Sequence, residues 1–241
     1  MAFSHVQSNV DAGNGTSVGV LLGATPSLGS VICVAVGAIS ALGSLVIQDT
    51  NGNGYTLTSN SPANNVGAGL WVYLAYLLIT PSNATANIIA TWTGSTGFAD
   101  IFASEFSVSG GTQAFDTNIA GTGNSAAVTG TISTPSITAA GSGELLYSMC
   151  VPSGAIIHPL AGVTLGGWTG AAVDLNGPGS EYILSSGVGA TAVDYTDSTA
   201  NDPFAAMAMA FKINAPGAGA FEDDSFQQFQ PPSVEPTICV W

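Results

Sequence analysis

Apolar residues along this chain fall in short runs, separated by clusters of glycine, serine, asparagine and proline, and none of the runs makes a convincing helix. That spacing predicts an all-β protein. Strands are expected at Val18–Leu22, Val31–Val36, Ser44–Gln48, Gly54–Thr58, Leu70–Thr80, Asn87–Thr93, Ala99–Val108, Ala127–Ser133, Glu144–Val151, Gly162–Leu165, Glu181–Ser185, Ala190–Tyr195 and Ala205–Ile213. In Leu70–Thr80 both alternating sets, Trp71/Tyr73/Ala75/Leu77/Ile79 and Val72/Leu74/Tyr76/Leu78, are apolar. A strand of that kind must be covered on both faces. Phe98–Val108 and Phe204–Ile213 follow the same rule with an occasional polar residue, so these three are expected to be the central core strands.

So many short strands without a helix imply two packed sheets: a two-sheet antiparallel β-sandwich, jelly-roll-like. No solenoid repeat and no linker divides residues 1–214, which read as one β-sandwich domain. Residues 215–241 change character, passing through APGAGA, FEDDSFQQFQ and PPSVEP to TICVW. This segment cannot build a core and is expected to be an extended C-terminal docking arm. Phe221, Phe226 and Phe229 would be its aromatic anchors, and Ile238, Val240 and Trp241 belong to a β-prone end that could add to a neighbour's sheet edge.

Composition narrows the function. The 241 residues include 1 Lys+Arg against 15 Asp+Glu, a formal charge of −14, and only 7% of positions are charged. One basic residue cannot drive counterion release from phosphates, which excludes a nucleic-acid binder and a protein that docks on anionic lipid. Coiled coils and helical bundles are excluded by the shortage of the long helix-favouring side chains. The stretch from Val31 to Ile47 reaches spanning length, but Gly37 and Gly43 interrupt it and no Lys or Arg flanks it, so no membrane span is expected. The N-terminus has neither a basic nor an apolar leader region, so no signal peptide is expected. Cys33, Cys150 and Cys239 are too few and too scattered for a disulfide framework. The first two sit in apolar runs as buried thiols, and Cys239 could cross-link chains.

Candidate chemistry is sparse. Asp49, Asn51 and Asn53, with Gly54 at the sixth position, imitate a calcium loop, but the twelfth position is Asn60 rather than a bidentate Glu. Asn and Gly between apolar runs are hairpin chemistry, and a turn is the preferred reading there. Gly15-Thr-Ser17-Val-Gly19 followed by His158 mimics a nucleophile elbow, yet the surrounding pattern is a strand, not a strand–turn–helix. Gly187-Val-Gly189-Ala-Thr-Ala192 imitates a dinucleotide fingerprint that leads into another strand. His5 and His158 lack partners at metal-ligand spacing, so no zinc site is expected. Glu105, Glu144 and Glu181 could form a glycosidase pair only if the fold united them. Glu105 lies in an apolar strand, where its partner should be backbone N–H, hydroxyl or amide because the chain has one lysine. Trp71, Tyr73, Tyr76, Trp92 and Trp168 are expected in the core rather than on a sugar-stacking platform. No catalytic residue and no cofactor are expected.

The order of runs carries a resemblance. GSVICVAV is followed by Asp49-Thr-Asn-Gly-Asn-Gly-Tyr55-Thr, a Tyr-rich strand, Glu105-Phe-Ser, Gly143-Glu144-Leu-Leu, Gly166-Gly-Trp168-Thr, Ser180-Glu181-Tyr182 and Phe204-Ala-Ala-Met-Ala-Met-Ala-Phe211-Lys212. Over most of residues 1–214 this resembles a β-sandwich module of phage virion proteins and large bacterial surface proteins. The Phe-Gln pattern of residues 221–230 resembles the ends of some phage structural proteins. The resemblance implies a non-enzymatic structural protein of a virion, a capsid decoration or head/tail-associated surface protein. Its partners would be other virion proteins and copies of itself, with assembly in the host cytoplasm. A second reading stays open: a glycan-binding or adhesive module, or an extracellular filament subunit, on the cell surface.

Overall fold

The computed structural model describes residues 2–79, 84–124, 130–133, 136–158, 162, 164–165, 167–174, 177–187 and 189–215. The first half of the chain forms β1 (Ala2–Leu21), β2 (Val31–Ala38), β3 (Gly43–Asp49), β4 (Thr56–Leu57), β5 (Ala63–Asn65), β6 (Leu70–Leu78) and β7 (Asn87–Ser109). The second forms β8 (Thr112–Asn124), β9 (Thr131–Ser133), β10 (Ile137–Ala139), β11 (Glu144–Pro152), β12 (Ile156–His158), β13 (Thr164–Leu165), β14 (Trp168–Val173), β15 (Gly179–Ser186), β16 (Gly189–Thr191), β17 (Asp194–Asp197) and β18 (Pro203–Asn214). The single helical element among the described residues is a 3-10 turn at Val66–Ala68. The protein is all-β, and its sheets are antiparallel throughout.

Two sheets face each other. One runs β1-β7-β2-β6-β4, with β3 also on β7 and β5 on β6; the other runs β13-β14-β15-β11-β18-β8. Between them lies a core of Val31, Cys33, Ala35, Phe102 and Phe106 against Leu145, Tyr147, Met149, Met207, Met209 and Phe211. The expected sandwich is therefore present, and its central strands are apolar on both faces as their sequences require. Alternate residues of β2, β6 and β7 (Ile32, Val34, Val36, Tyr73, Ala75, Ile101) point away from that core into a second one. On the far side of the second sheet, Leu146, Cys150, Ala206, Ala208 and Ala210 enter a third.

Each outer core has its own cover. Over the first sheet, β1 and β7 cover themselves: they are 20 and 23 residues long and bend part-way. Their register shifts at Gly13/Gly15 and Gly15/Ser17, and Gly15 and Gly94 adopt φ of 97° and 83°, values that side chains with a Cβ rarely accept. Beyond the bend, Val18, Val20, Ile88, Ala90 and Trp92, joined by Ile47 of β3, close the second core. Trp92 ties the corner by donating its indole N–H to the Gly15 carbonyl at 3.0 Å. Over the second sheet, the small sheet β12-β17-β9 and the pair β10-β16 bring Ile132, Ile137, Ile156 and Tyr195 onto the third core.

The two central sheets are also wired alike. First strand, last strand, second and third long strand lie side by side as β1-β7-β2-β6 in one and β8-β18-β11-β15 in the other. The equivalence extends to side chains. Tyr76 of β6 stacks on Phe115 (centroids 4.8 Å apart) and meets Phe211 edge-on; Tyr182 of β15 stacks on His5 (4.8 Å) and meets Phe106 edge-on. His5 pairs with Phe106 as Phe115 pairs with Phe211. Aromatic pairs contribute about 0.5–1.5 kcal/mol beyond area burial. Tyr76→Leu and Tyr182→Leu should therefore each cost on the order of 1 kcal/mol beyond the burial loss. Urea denaturation should show losses within about 1 kcal/mol of each other; one neutral and one severe loss would break the equivalence.

Candidate functional site

The proposed calcium loop is a turn built around one carboxylate. Asp49, buried at the end of β3, accepts the N–H groups of Asn51 and Asn53 on Oδ1 (both 3.0 Å), and the Asn53 side-chain amide (2.8 Å) and Thr85 N–H (2.9 Å) on Oδ2. Burial alone would raise its pKa, but these hydrogen bonds outweigh burial and hold it below the ordinary carboxylate value. Both oxygens face N–H donors, which repel a cation. Asp49, Asn51 and Asn53 thus form the hairpin that the sequence favoured.

The three glutamates are far apart in function. Glu105 faces the core over the first sheet, fully buried, and accepts Ser27 N–H (2.7 Å) and the Gln7 amide (2.6 Å). Gln7 in turn accepts Ala24 N–H and donates to its carbonyl, so Glu105 anchors the loop after β1 with the amide and backbone partners expected of it. Glu181, on the opposite face of the second sheet, accepts the Ser148 hydroxyl at 3.1 Å; Ser148 also bonds the Tyr195 hydroxyl at 2.8 Å. Burial pushes Glu181 well above the carboxylate range. Glu144 accepts Gly141 N–H (2.6 Å) and borders an open cleft of about 430 Å³ with Lys212, whose ammonium lies 3.0 Å from Asp116. Two central sheets separate Glu105 from Glu181, so the fold does not unite a carboxylate pair from these residues.

The other candidates are similarly dispersed. Ser17 pairs with Thr91 inside β1, in the bent cover of the first sheet, whereas His158 lies on β12 in the cover of the second. Residues 187–192 carry β16, which pairs with β10 and leads into no helix. Trp92 and Trp168 are buried with their indole N–H groups bonded to the Gly15 and Ala192 carbonyls. Tyr73 is buried too, while Trp71 and Tyr76 are half-buried. Among the described residues Phe98 is the one exposed aromatic. Cys33 and Cys150 are buried in different cores, and burial raises both thiols well above their usual pKa. Phe221, Phe226, Phe229, Ile238, Val240, Trp241 and Cys239 lie outside the described residues.

The structure assembles one constellation that the sequence did not single out. At one end of the sandwich a cavity of about 250 Å³ opens between the sheets. Gly37, Ala38 and Asp100 line it from the first sheet, Val151, Pro152 and Pro178 from the second, and Ile39 and Phe98 stand at its exposed rim. Asp100 is 2% exposed and its Oδ1 has no hydrogen-bond partner. Burial, and secondarily the charge of Asp174, raise its pKa to about 7. Asp100 interrupts an apolar strand as Glu105 does, and that intrusion was the available signal.

No family model matches this chain, and no curated protein matches it. Among solved structures it is similar to a chain from the atomic structure of Sulfolobus Turreted Icosahedral Virus, at 9% identity and a TM-score of 0.27 over 88% of this chain and 90% of that one.

The acids described here oppose one another in pH dependence. Asp49 has a lowered folded pKa, so its contribution is complete above its unfolded value near 3.9 and disappears as pH falls through the folded value. Asp49→Ala should cost about 2 kcal/mol or more at pH 7, since it strands several N–H donors at about 1–3 kcal/mol each, and the difference from wild type should shrink toward pH 2. Glu181 has a raised folded pKa, so its contribution is complete below about 4.3 and is lost as pH rises. Glu181→Gln should match wild type near pH 3.5 and become progressively the more stable protein above pH 5 in denaturant titrations. A pH-independent difference in either case would show that the carboxylate does not act as described.

Proposed function

We propose that this protein is a non-enzymatic structural component of a virion, a capsid decoration or head/tail-associated surface protein that works by packing against neighbouring subunits. One observation carries the reading. The buried carboxylates Asp49 and Glu105 hold loops in place, while Val6, Leu21, Leu28, Ile39, Val46, Leu57, Val66 and Phe98 stand exposed on a chain in which only 7% of positions are charged. We read these exposed apolar side chains as contacts for neighbouring subunits. The sequence's resemblance to virion β-sandwich modules points the same way. Net charge of one sign keeps free subunits apart and favours a neutral or basic partner. The glycan-binding reading has less support, because it needs an aromatic platform and Phe98 is the one exposed aromatic described.

In this reading residues 215–241 are the docking arm, with Phe221, Phe226, Phe229, Ile238, Val240 and Trp241 as its contacts. The tagged full-length chain, expressed in producing cells, should co-purify with particles on a density gradient. Deleting 215–241 should leave a soluble protein with an unchanged far-UV circular dichroism spectrum that no longer enters the particle. Normal incorporation of the truncated protein would remove the arm's role, and absence of the full-length chain from particles would remove the virion reading.

A further inference from the structure

We propose that the end cavity beside Asp100 receives one basic side chain, a lysine or arginine, presented by a partner polypeptide. This deepens the assembly reading in naming a polypeptide as the source; the preference for an organic cation stands on the cavity alone.

Asp100 is an unsatisfied acid. A buried carboxyl group is normally hydrogen-bonded, because leaving it bare costs its full desolvation free energy. Asp100 lines the cavity with Oδ1 unpartnered. Glycine keeps the space around it open: a Cβ on Gly177 would lie 3.9 Å from Asp100 Oδ2 and 4.0 Å from Asp174 Oδ1. Asp174 is therefore the second acid beside the buried carboxyl group of Asp100. Gly154, which also lines the cavity, packs against another acidic pair outside the lining, since a Cβ there would come 2.5 Å from Asp197 Oδ1 and 2.8 Å from Asp202 Oδ2.

These 241 residues place no lysine or arginine there. The chain contains no arginine. Its one lysine, Lys212, pairs with Asp116 far along β18 from Phe204, the residue that meets Pro152 at the cavity. β1 runs the other way: Gly13 pairs with Ala99 beside the cavity, and Ala2 with Ser109 at the opposite end of β7. His5 pairs with Phe106, also up the strand from Asp100. No lysine or arginine of these 241 residues is therefore placed to fill the cavity.

The cavity walls suit an organic cation better than a metal ion. A hard metal ion takes six to eight oxygen ligands. Among the described residues no three His, Cys, Asp or Glu side chains are grouped to hold a metal ion. The cavity instead offers Leu70, Val151, Pro152 and Pro178 beside its acid, under a rim of Ile39 (52% exposed) and Phe98 (38%). Apolar side chains beside a carboxyl group match a side chain with a methylene stem and a cationic head. Roughly eight waters' share of liquid would fill about 250 Å³, enough for one long side chain and too little for a folded segment.

The test uses the full chain and the pentapeptide Gly-Gly-Lys-Gly-Gly, acetylated and amidated, beside its norleucine analogue, which has the stem without the ammonium. At pH 8 the lysine peptide should shift the NMR resonances of Gly37, Asp100 and Gly177 in a saturable way, with the norleucine peptide at least tenfold weaker. Binding of the cation must expel the proton from Asp100, so affinity should fall about tenfold from pH 8 to pH 6; Asp174 is the charged group that faces Asp100 there. Asp100→Asn, which keeps shape and removes charge, should abolish lysine-peptide binding and enter particles less than a tenth as well as wild type. Equal binding of the two peptides, unchanged binding to Asp100→Asn, or displacement of the peptide by millimolar Ca²⁺ would overturn the proposal. Normal particle entry of Asp100→Asn would overturn the polypeptide source while leaving the virion reading intact. Absence of wild-type protein from particles removes that reading, and with it the polypeptide source, leaving the peptide titration to decide the cation preference.

Discussion

The strands at the centre of this molecule are apolar on both faces, and the rest of the architecture follows from that. Had β2, β6, β11 and β18 carried polar residues on alternate positions, two sheets would have sufficed and water could have wetted their backs. Instead Ile32, Val34 and Val36 on one back, and Leu146, Cys150 and the alanines of β18 on the other, require further layers. The first sheet meets the demand by bending its own longest strands over itself at glycines; the second recruits separate short strands from its connections. The same burial requirement is answered by opposite means, according to whether the chain has length to spare inside a strand or between strands.

Scarcity of basic residues shapes the polar interior. A buried carboxylate in most proteins can turn to arginine or lysine, but here Asp49 and Glu105 recruit backbone N–H and amide groups, and Glu181 accepts a serine hydroxyl and the Asp194 N–H. Loop positions are fixed in this way: the chain after β1 is pinned through Ser27 and Ala24, and the turn after β3 through Asn51 and Asn53. Asp100 Oδ1, like Glu144 Oε2, Glu181 Oε2 and Asp197 Oδ2, has no such donor among the described residues.

The legible parts of the sequence were those in which burial dictates composition. Leu70–Leu78 and Ala205–Ile213 announced themselves because both alternating sets are apolar, and the hairpin at Asp49 because asparagine and glycine suit such turns. β8 and residues 2–17 of β1 went unseen: they lie on sheet edges, where alternate positions face water and serine, asparagine and glycine carry no period-two signal. Asn87–Thr93 and Ala99–Val108 looked like two strands because Gly94 and its neighbours interrupt the apolar run, yet they are the two limbs of one bent strand. The end cavity was invisible for another reason. Its members come from positions 37, 100, 151 and 178, and only the pairing of β2 with β7 and the facing of β11 bring them together.

The wiring of the two sheets has a bearing on how the chain is made. Among the described residues, every strand pairing lies within 2–109 or within 112–214, and only Gly110 and Gly111 join the halves. Ala2 meets Ser109, so the first sheet closes only after its last strand has left the ribosome, and loop closure over so long a span is slow. No backbone hydrogen bond of its ladders then waits on the second half. Synthesis delivers the molecule one sheet at a time, with the first exposing a greasy face until the second arrives to cover it, which makes the interval between residues 109 and 214 the period in which the nascent protein is most in need of a chaperone.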